Sequence, residues 1–145
     1  MSTQIIDGFL LGVGDSVYVT PMEQVLEVFY PKSGSVTNVA GRGTCVLRHG
    51  ELLNVIDLRQ VLKESPSLDD SDKGTGIMVS THIGKRKAAI QVDEVLSVQK
   101  VVVKELKGLE LTSDLYAGAA VMGDGTLAMI LDLNALEVRE IAAPS

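Results

Sequence analysis

The chain is 145 residues long, 46% hydrophobic and 22% charged, enough for one domain with a well-filled core. Only 3% of it is aromatic and Trp is absent, so Val, Ile, Leu and Ala must fill that core. Thirteen Lys and Arg against nineteen Asp and Glu leave a net charge of -6. That balance argues against a nucleic-acid backbone as the main partner, because phosphate contacts need a basic field. The single Cys45 allows neither an internal disulfide nor a multi-cysteine metal cluster. No apolar run reaches the roughly 18 to 20 residues that span a bilayer. Met1 to Ile6 lacks the basic start and apolar stretch of a signal peptide. A cytoplasmic protein without membrane insertion is the expectation.

Taken in chain order, short β-rich runs are punctuated by Gly, Asp and Ser. Phe9, Leu11 and Val13 alternate with less apolar positions, Gly14-Asp15-Ser16 supplies a turn, and Val17 and Val19 continue as a second strand. Pro21 lacks an N–H and breaks the ladder, so Pro21 to Gln24 reads as a turn or short helical piece. Val25 to Tyr30 is a third strand, stopped by Pro31. Thr44 to Arg48 and Glu51 to Asp57 form a hairpin around His49-Gly50, and Leu58 to Leu62 leaves room for one helical turn. Ser65 to Gly74 is a polar, acidic loop. Gly76 to His82, Arg86 to Val92 and Leu96 to Val103 follow as strands. Ala117 to Met122 and Leu127 to Asp132 then flank Gly123-Asp124-Gly125, a short-hairpin signal. The tail from Ala142 is expected to fray, and no long amphipathic helix is predicted.

An internal repeat organises these runs. GTCVLRHGELLNVIDL from Gly43 lies over GAAVMGDGTLAMILDL from Gly118 without a gap, and MEQVLEV from Met22 lies over VDEVLSV from Val92. The blocks keep their order, so the chain reads as one domain with approximate repeat halves 8–64 and 75–138 joined by the acidic loop 65–74. Each half is too small to bury a good core alone. The expected fold class is therefore all-β, two small barrels packed across a shared apolar seam.

Chemistry-bearing residues are sparse. Asp57 and Asp132 occupy equivalent repeat positions and are expected to cap the helical turn after each hairpin rather than to form a catalytic pair. His49 and His82 lack the further ligands of a metal site, and Cys45 reads as a small core residue. Gly123-Asp124-Gly125 lacks the Lys-Ser/Thr pair and helix of a phosphate loop. Lys85-Arg86-Lys87 is the one basic cluster, a solvated turn or a contact to an acidic partner. No catalytic, metal or cofactor site is expected, and the protein is not expected to be an enzyme.

Ile5-Ile6-Asp7-Gly8 with FLLGVGDSVYVTP, then GELLNVIDLRQVL from Gly50, VDEVLSVQKVVVKEL from Val92 and AGAAVMGDGTLAMILDLNAL from Ala117 together resemble the CheW-like domain family. Within it they are most similar to the regulatory domain of the chemotaxis kinase CheA. The resemblance implies two five-stranded SH3-like barrels on a common hydrophobic core. It also implies a non-catalytic scaffold role, coupling CheA to CheW and to the cytoplasmic tips of chemoreceptors in arrays at the inner membrane. A free-standing CheW-like adaptor is the alternative; a small barrel binding nucleic acid is disfavoured by five aromatics on an acidic chain. Two positions depart from the family. Members usually have Arg directly before the hairpin Gly, where His49 stands and Arg48 precedes it, and Pro where Asn54 stands. Candidate contact residues are Val25 and Leu26, their repeat equivalents Val95 and Leu96, and Arg48, His49 and Arg59. The four apolar ones fit core positions as well as interface positions.

Overall fold

The computed structural model describes residues 4–62, 76–104 and 116–135. It contains eleven strands: β1 (Gln4–Val13), β2 (Ser16–Pro21), β3 (Val25–Phe29), β4 (Val36–Val39), β5 (Gly43–Arg48), β6 (Glu51–Asp57), β7 (Ile77–Ile83), β8 (Arg86–Val92), β9 (Glu94–Lys104), β10 (Tyr116–Val121) and β11 (Leu127–Leu131). A 3₁₀ turn (Met22–Gln24) follows Pro21, and α1 (Leu58–Val61) is one helical turn. The all-β expectation holds, and the strand β8 has the expected bounds. β1 begins earlier than expected, at Gln4, and β4 was not expected at all. Its VTNV sequence is mostly exposed and carries no apolar alternation. The acidic loop 65–74 and the tail from Ala142 lie outside the described residues.

Five strands close into a barrel in the order β1-β2-β11-β10-β9, with β9 pairing back onto β1. The other six form a sheet in the order β3-β7-β8-β6-β5-β4. The two units repeat one plan. An antiparallel hairpin (β1–β2 or β7–β8) pairs in parallel with one strand of a second hairpin (β11 or β6), and a fifth strand (β9 or β3) lies against the first. The repeat halves do not coincide with the units, however. The first half supplies β1 and β2 to the barrel, while the second supplies β7 and β8 to the six-stranded sheet. Each half completes the other by exchanging a hairpin.

Strand alternation explains why this arrangement holds. Leu10, Val19, Val101, Ala120, Ala128 and Ile130 point into the barrel. Phe29, Val46, Leu53, Val55, Met78 and Ala89 fill the curl of the six-stranded sheet. The residues between them face the other way. Phe9, Leu11, Val13, Tyr18 and Leu131 of the barrel meet Ile56, Val79, Ile83, Ala88 and Ile90 of the sheet in one seam. Where these strands line the seam, neighbouring residues such as Leu10 and Leu11, or Met78 and Val79, are thus both apolar and both buried. Gly8 shows how tightly the barrel is filled, since a Cβ there would sit 2.8 Å from Val19 Cγ1.

Thr20 and Thr81 are fully buried, and neither hydroxyl has a hydrogen-bond partner. A buried unsatisfied hydroxyl costs about 1–3 kcal/mol, whereas a methyl of the same shape does not. Thr20→Val and Thr81→Val should therefore each raise stability, by about 1 kcal/mol. Denaturant unfolding checks this, and a lowered midpoint for both variants would contradict it.

Candidate functional site

Two exposed leucines, each set in a β-bulge, recur at repeat-equivalent places. On β3, Val25 pairs with Thr81 and Glu27 with Ser80, so Leu26 is an extra residue in a β-bulge. On β9, Leu11 pairs with Val95 and Leu10 with Ser97, so Leu96 is the extra residue there. The bulge turns each leucine outward, leaving Leu26 43% and Leu96 44% exposed. Val28 and Val98 extend the two ridges and are exposed as well. Val25 and Val95 go the other way, half-buried against the seam core. Of the four apolar candidates, two belong to packing and two to the surface, and the bulge separates them. Leu96 also borders an open groove of about 600 Å³ lined by Val17, Tyr18, Tyr116, Met122 and Leu127. The Tyr18 and Tyr116 rings stack there with centroids 6.4 Å apart.

The cations are placed differently. Arg48 and His49 converge on Glu27, next to Leu26. Arg48 makes a two-pronged bond to the Glu27 carboxylate at 3.0 Å per contact, and His49 Nε2 lies 3.1 Å from the same group. The Arg48 guanidinium also sits 4.4 Å from the centre of the Phe29 ring, a cation–π contact. This clasp has a structural reason. In the barrel, the equivalent strands β9 and β10 are hydrogen-bonded to each other. In the six-stranded sheet, β3 and β5 are not neighbours in the ladder, and side chains bridge them instead. His49 and Gly50 both adopt positive φ, at 53° and 77°, so Arg48 pairs with Glu51 across a two-residue turn. Arg48 reaches Glu27 through that turn without a bulge.

Arg59 lies apart from this patch and pairs with Asp93. Asp93 was not singled out by sequence reasoning. Its other carboxylate oxygen accepts from the Gly14 N–H at 2.6 Å, and its own N–H donates to the Gly12 carbonyl at 3.0 Å. Asn54 occupies an inner strand, between β5 and β8, and holds Arg42. Its Oδ1 accepts from Arg42 at 2.7 Å and its Nδ2 donates to the Arg42 carbonyl at 2.9 Å. The two capping aspartates behave as expected. Asp57 accepts from the Arg59 N–H at 3.1 Å, and Asp132 accepts from the N–H groups of Asn134 and Ala135. His82 is exposed and Cys45 buried. Among the described residues no three His, Cys, Asp or Glu side chains are placed to hold a metal ion, and no helix is long and apolar enough to cross a membrane.

Because β2 runs parallel to β11, and β8 to β6, each unit gathers two turns at one end. The barrel end carries Asp15 and Asp124, while the equivalent end of the sheet carries Lys85, Arg86 and His49. The repeat has thus kept its geometry while inverting its charge.

Two β units sharing a seam, each completed by the other's hairpin, define a duplicated SH3-like domain. A CheW-like domain model matches residues 7–140, and the chain belongs to the CheW-like domain family. Its curated relatives include the chemotaxis protein CheA of Klebsiella aerogenes, 27% identical over 138 residues covering 95% of this chain and 21% of that protein. The sensor histidine kinase CheAY of Helicobacter pylori is 26% identical over 94% of this chain and 17% of its own length. The chain therefore spans about a fifth of the length of the curated relatives it matches. Among solved structures, the scaffolding protein CheW from Thermoanaerobacter tengcongensis superposes with a TM-score of 0.75 at 18% identity, covering 92% of both chains. That likeness confirms the fold.

The clasp also sets an acid response. Hydrogen bonds from Arg48 and then His49 pull the Glu27 carboxyl from its ordinary 4.5 down to about 2. A carboxyl that binds its proton less readily when folded stabilises the fold above its unfolded pKa. This contribution is present above about pH 4.5 and lost as pH falls towards 2. Glu27→Gln should lower the unfolding midpoint at pH 7, and the gap to the parent should shrink on acidification through that window. A gap of the same size at pH 7 and pH 2 would contradict the assignment.

Proposed function

We propose that this domain is a non-catalytic docking module of bacterial chemotaxis signalling, joining a CheA kinase to CheW and to the cytoplasmic tips of chemoreceptors. The observation that carries the reading is the pair of bulged leucines, Leu26 and Leu96, held outward at equivalent places on the two units. Contiguous exposed apolar residues on a small domain mark an interaction surface, and a few buried contacts supply most binding energy. Family membership and the CheA relatives give the biological setting. The oppositely charged ends suit head-to-tail contacts with other CheW-like domains, as an array requires. Arg48 and His49 take part by shaping the β3 edge beside Leu26. In this role the domain works in the cytoplasm, beside the inner membrane, and uses no cofactor. A stand-alone CheW-like adaptor is the second reading, since the same family fold is found in a CheW scaffolding protein.

Calorimetric titration of the domain with a CheW, and separately with a receptor cytoplasmic fragment, tests the proposal. Micromolar binding, about -8 kcal/mol, is expected. Leu26→Asp or Leu96→Asp should weaken at least one of the two partners by about tenfold or more, since a charge replaces a desolvated anchor. Val36→Asp, on the exposed β4 edge, should bind as the parent does. Absence of heat with either partner from a folded domain would overturn the reading.

A further inference from the structure

Among the described residues, two short segments carry the chain between the barrel and the six-stranded sheet: Met22–Gln24 between β2 and β3, and Asp93 between β8 and β9. They are equivalent in the repeat, with Glu23 at the place of Asp93. Their fastening differs. Glu23 is exposed on its 3₁₀ turn, and no described residue pairs with its carboxylate. Asp93 instead ties three elements together. It accepts from Gly14 in the β1–β2 turn, donates its N–H to Gly12 at the end of β1, and receives the Arg59 guanidinium from α1. Both partners are mostly buried, the Asp93 side chain 20% and that of Arg59 29% exposed. Asp57, by capping α1 at the Arg59 N–H, fixes the base from which that guanidinium extends.

The consequence lies three residues further on. β9 starts against β1 with Glu94 opposite Gly12 and Val95 opposite Leu11, and then Leu96 bulges out. The register of that start is set where Asp93 grips Gly12 and Gly14. Asp93 and Arg59 therefore fix the place at which β9 leaves the ladder, and so where Leu96 stands in the groove. The link also crosses units, because α1 belongs to the sheet and Leu96 to the barrel.

We propose that Arg59 and Asp93 form a positioning pair that holds the Leu96 docking ridge in register and couples it to the α1 face of the other unit. The Leu26 ridge is held differently, by the Arg48 and His49 clasp on the neighbouring Glu27, and no described residue pairs with the carboxylate of its crossing residue Glu23. The proposal rests on the docking reading for Leu96, but its geometry can be tested without any partner. Methyl spectra of the full chain with labelled Leu and Val would be compared for the parent, Arg59→Gln, Arg59→Lys and Asp93→Asn. Arg59→Gln leaves the Asp93–Gly14 bond in place, so it keeps the question answerable if Asp93→Asn does not fold. Arg59→Gln should move the Leu96 and Val98 methyls and leave Leu26 unmoved, and Arg59→Lys should restore the parent positions in large part. Unmoved Leu96 methyls, or equal shifts at Leu26 and Leu96, would overturn the proposal. The second arm measures CheW affinity. Arg59→Gln should weaken it about tenfold, the scale of one lost charge-assisted contact. Added to Leu96→Asp it should cost nothing further, whereas its effect should add to that of Leu26→Asp. Full additivity with both would also overturn the proposal. Failure of CheW binding by the parent would sink the docking reading and leave the methyl arm to decide the geometry.

Discussion

The structure depends on burying both faces of its inner strands at once. With side chains alternating along a strand, Leu10 fills the barrel while Leu11 fills the seam, and Met78 fills the curled sheet while Val79 fills the seam. One seam thereby serves as the outer core of two units that would each be marginal alone. Leu11, Leu58 and Ile90 are fully buried in it, and truncating any of them to Ala carries the usual cost of about 2–5 kcal/mol. Hairpin exchange strengthens the arrangement, because neither half of the chain contains all the strands of either unit.

The same construction leaves a patterned surface. Where β3 and β9 run along the flanks of the seam strands β7 and β1, a bulge in each lets one valine stay in the core while the next leucine turns to solvent. The duplication then presents the same apolar device twice. The copies have diverged in how they are held. The barrel closes by backbone pairing of β9 with β10, whereas the sheet bridges β3 and β5 through Arg48, His49 and Glu27. At the crossings, Asp93 is fastened, whereas no described residue pairs with the Glu23 carboxylate. Such divergence is what a domain with two different neighbours would need.

Much of the architecture was legible in the sequence because it is written in short-range signals. The His49-Gly50 and Gly123-Asp124-Gly125 turns, the hairpin of β5 and β6, and the two capping aspartates are local features, and each appears where expected. What stayed hidden is long-range. The repeat showed that two halves resemble each other, but sequence similarity does not say which half a hairpin pairs with, so the exchange was not foreseen. Arg48 meets Glu27 across 21 residues and Arg59 meets Asp93 across 34, separations at which no periodicity connects the partners. Val25 and Leu26 have the same chemistry on paper, and only the bulge tells core from surface. The exposed strand β4 had no apolar rhythm to announce it.

The central claim is that the paired bulges form the docking surface. Its most direct test is a methyl-resolved titration of the labelled domain with unlabelled CheW, repeated with a chemoreceptor cytoplasmic fragment. The account predicts that perturbations concentrate at Leu26, Val28, Leu96 and Val98 while seam methyls such as those of Leu11 and Ile90 stay in place. Saturable binding that perturbs neither bulge would contradict it.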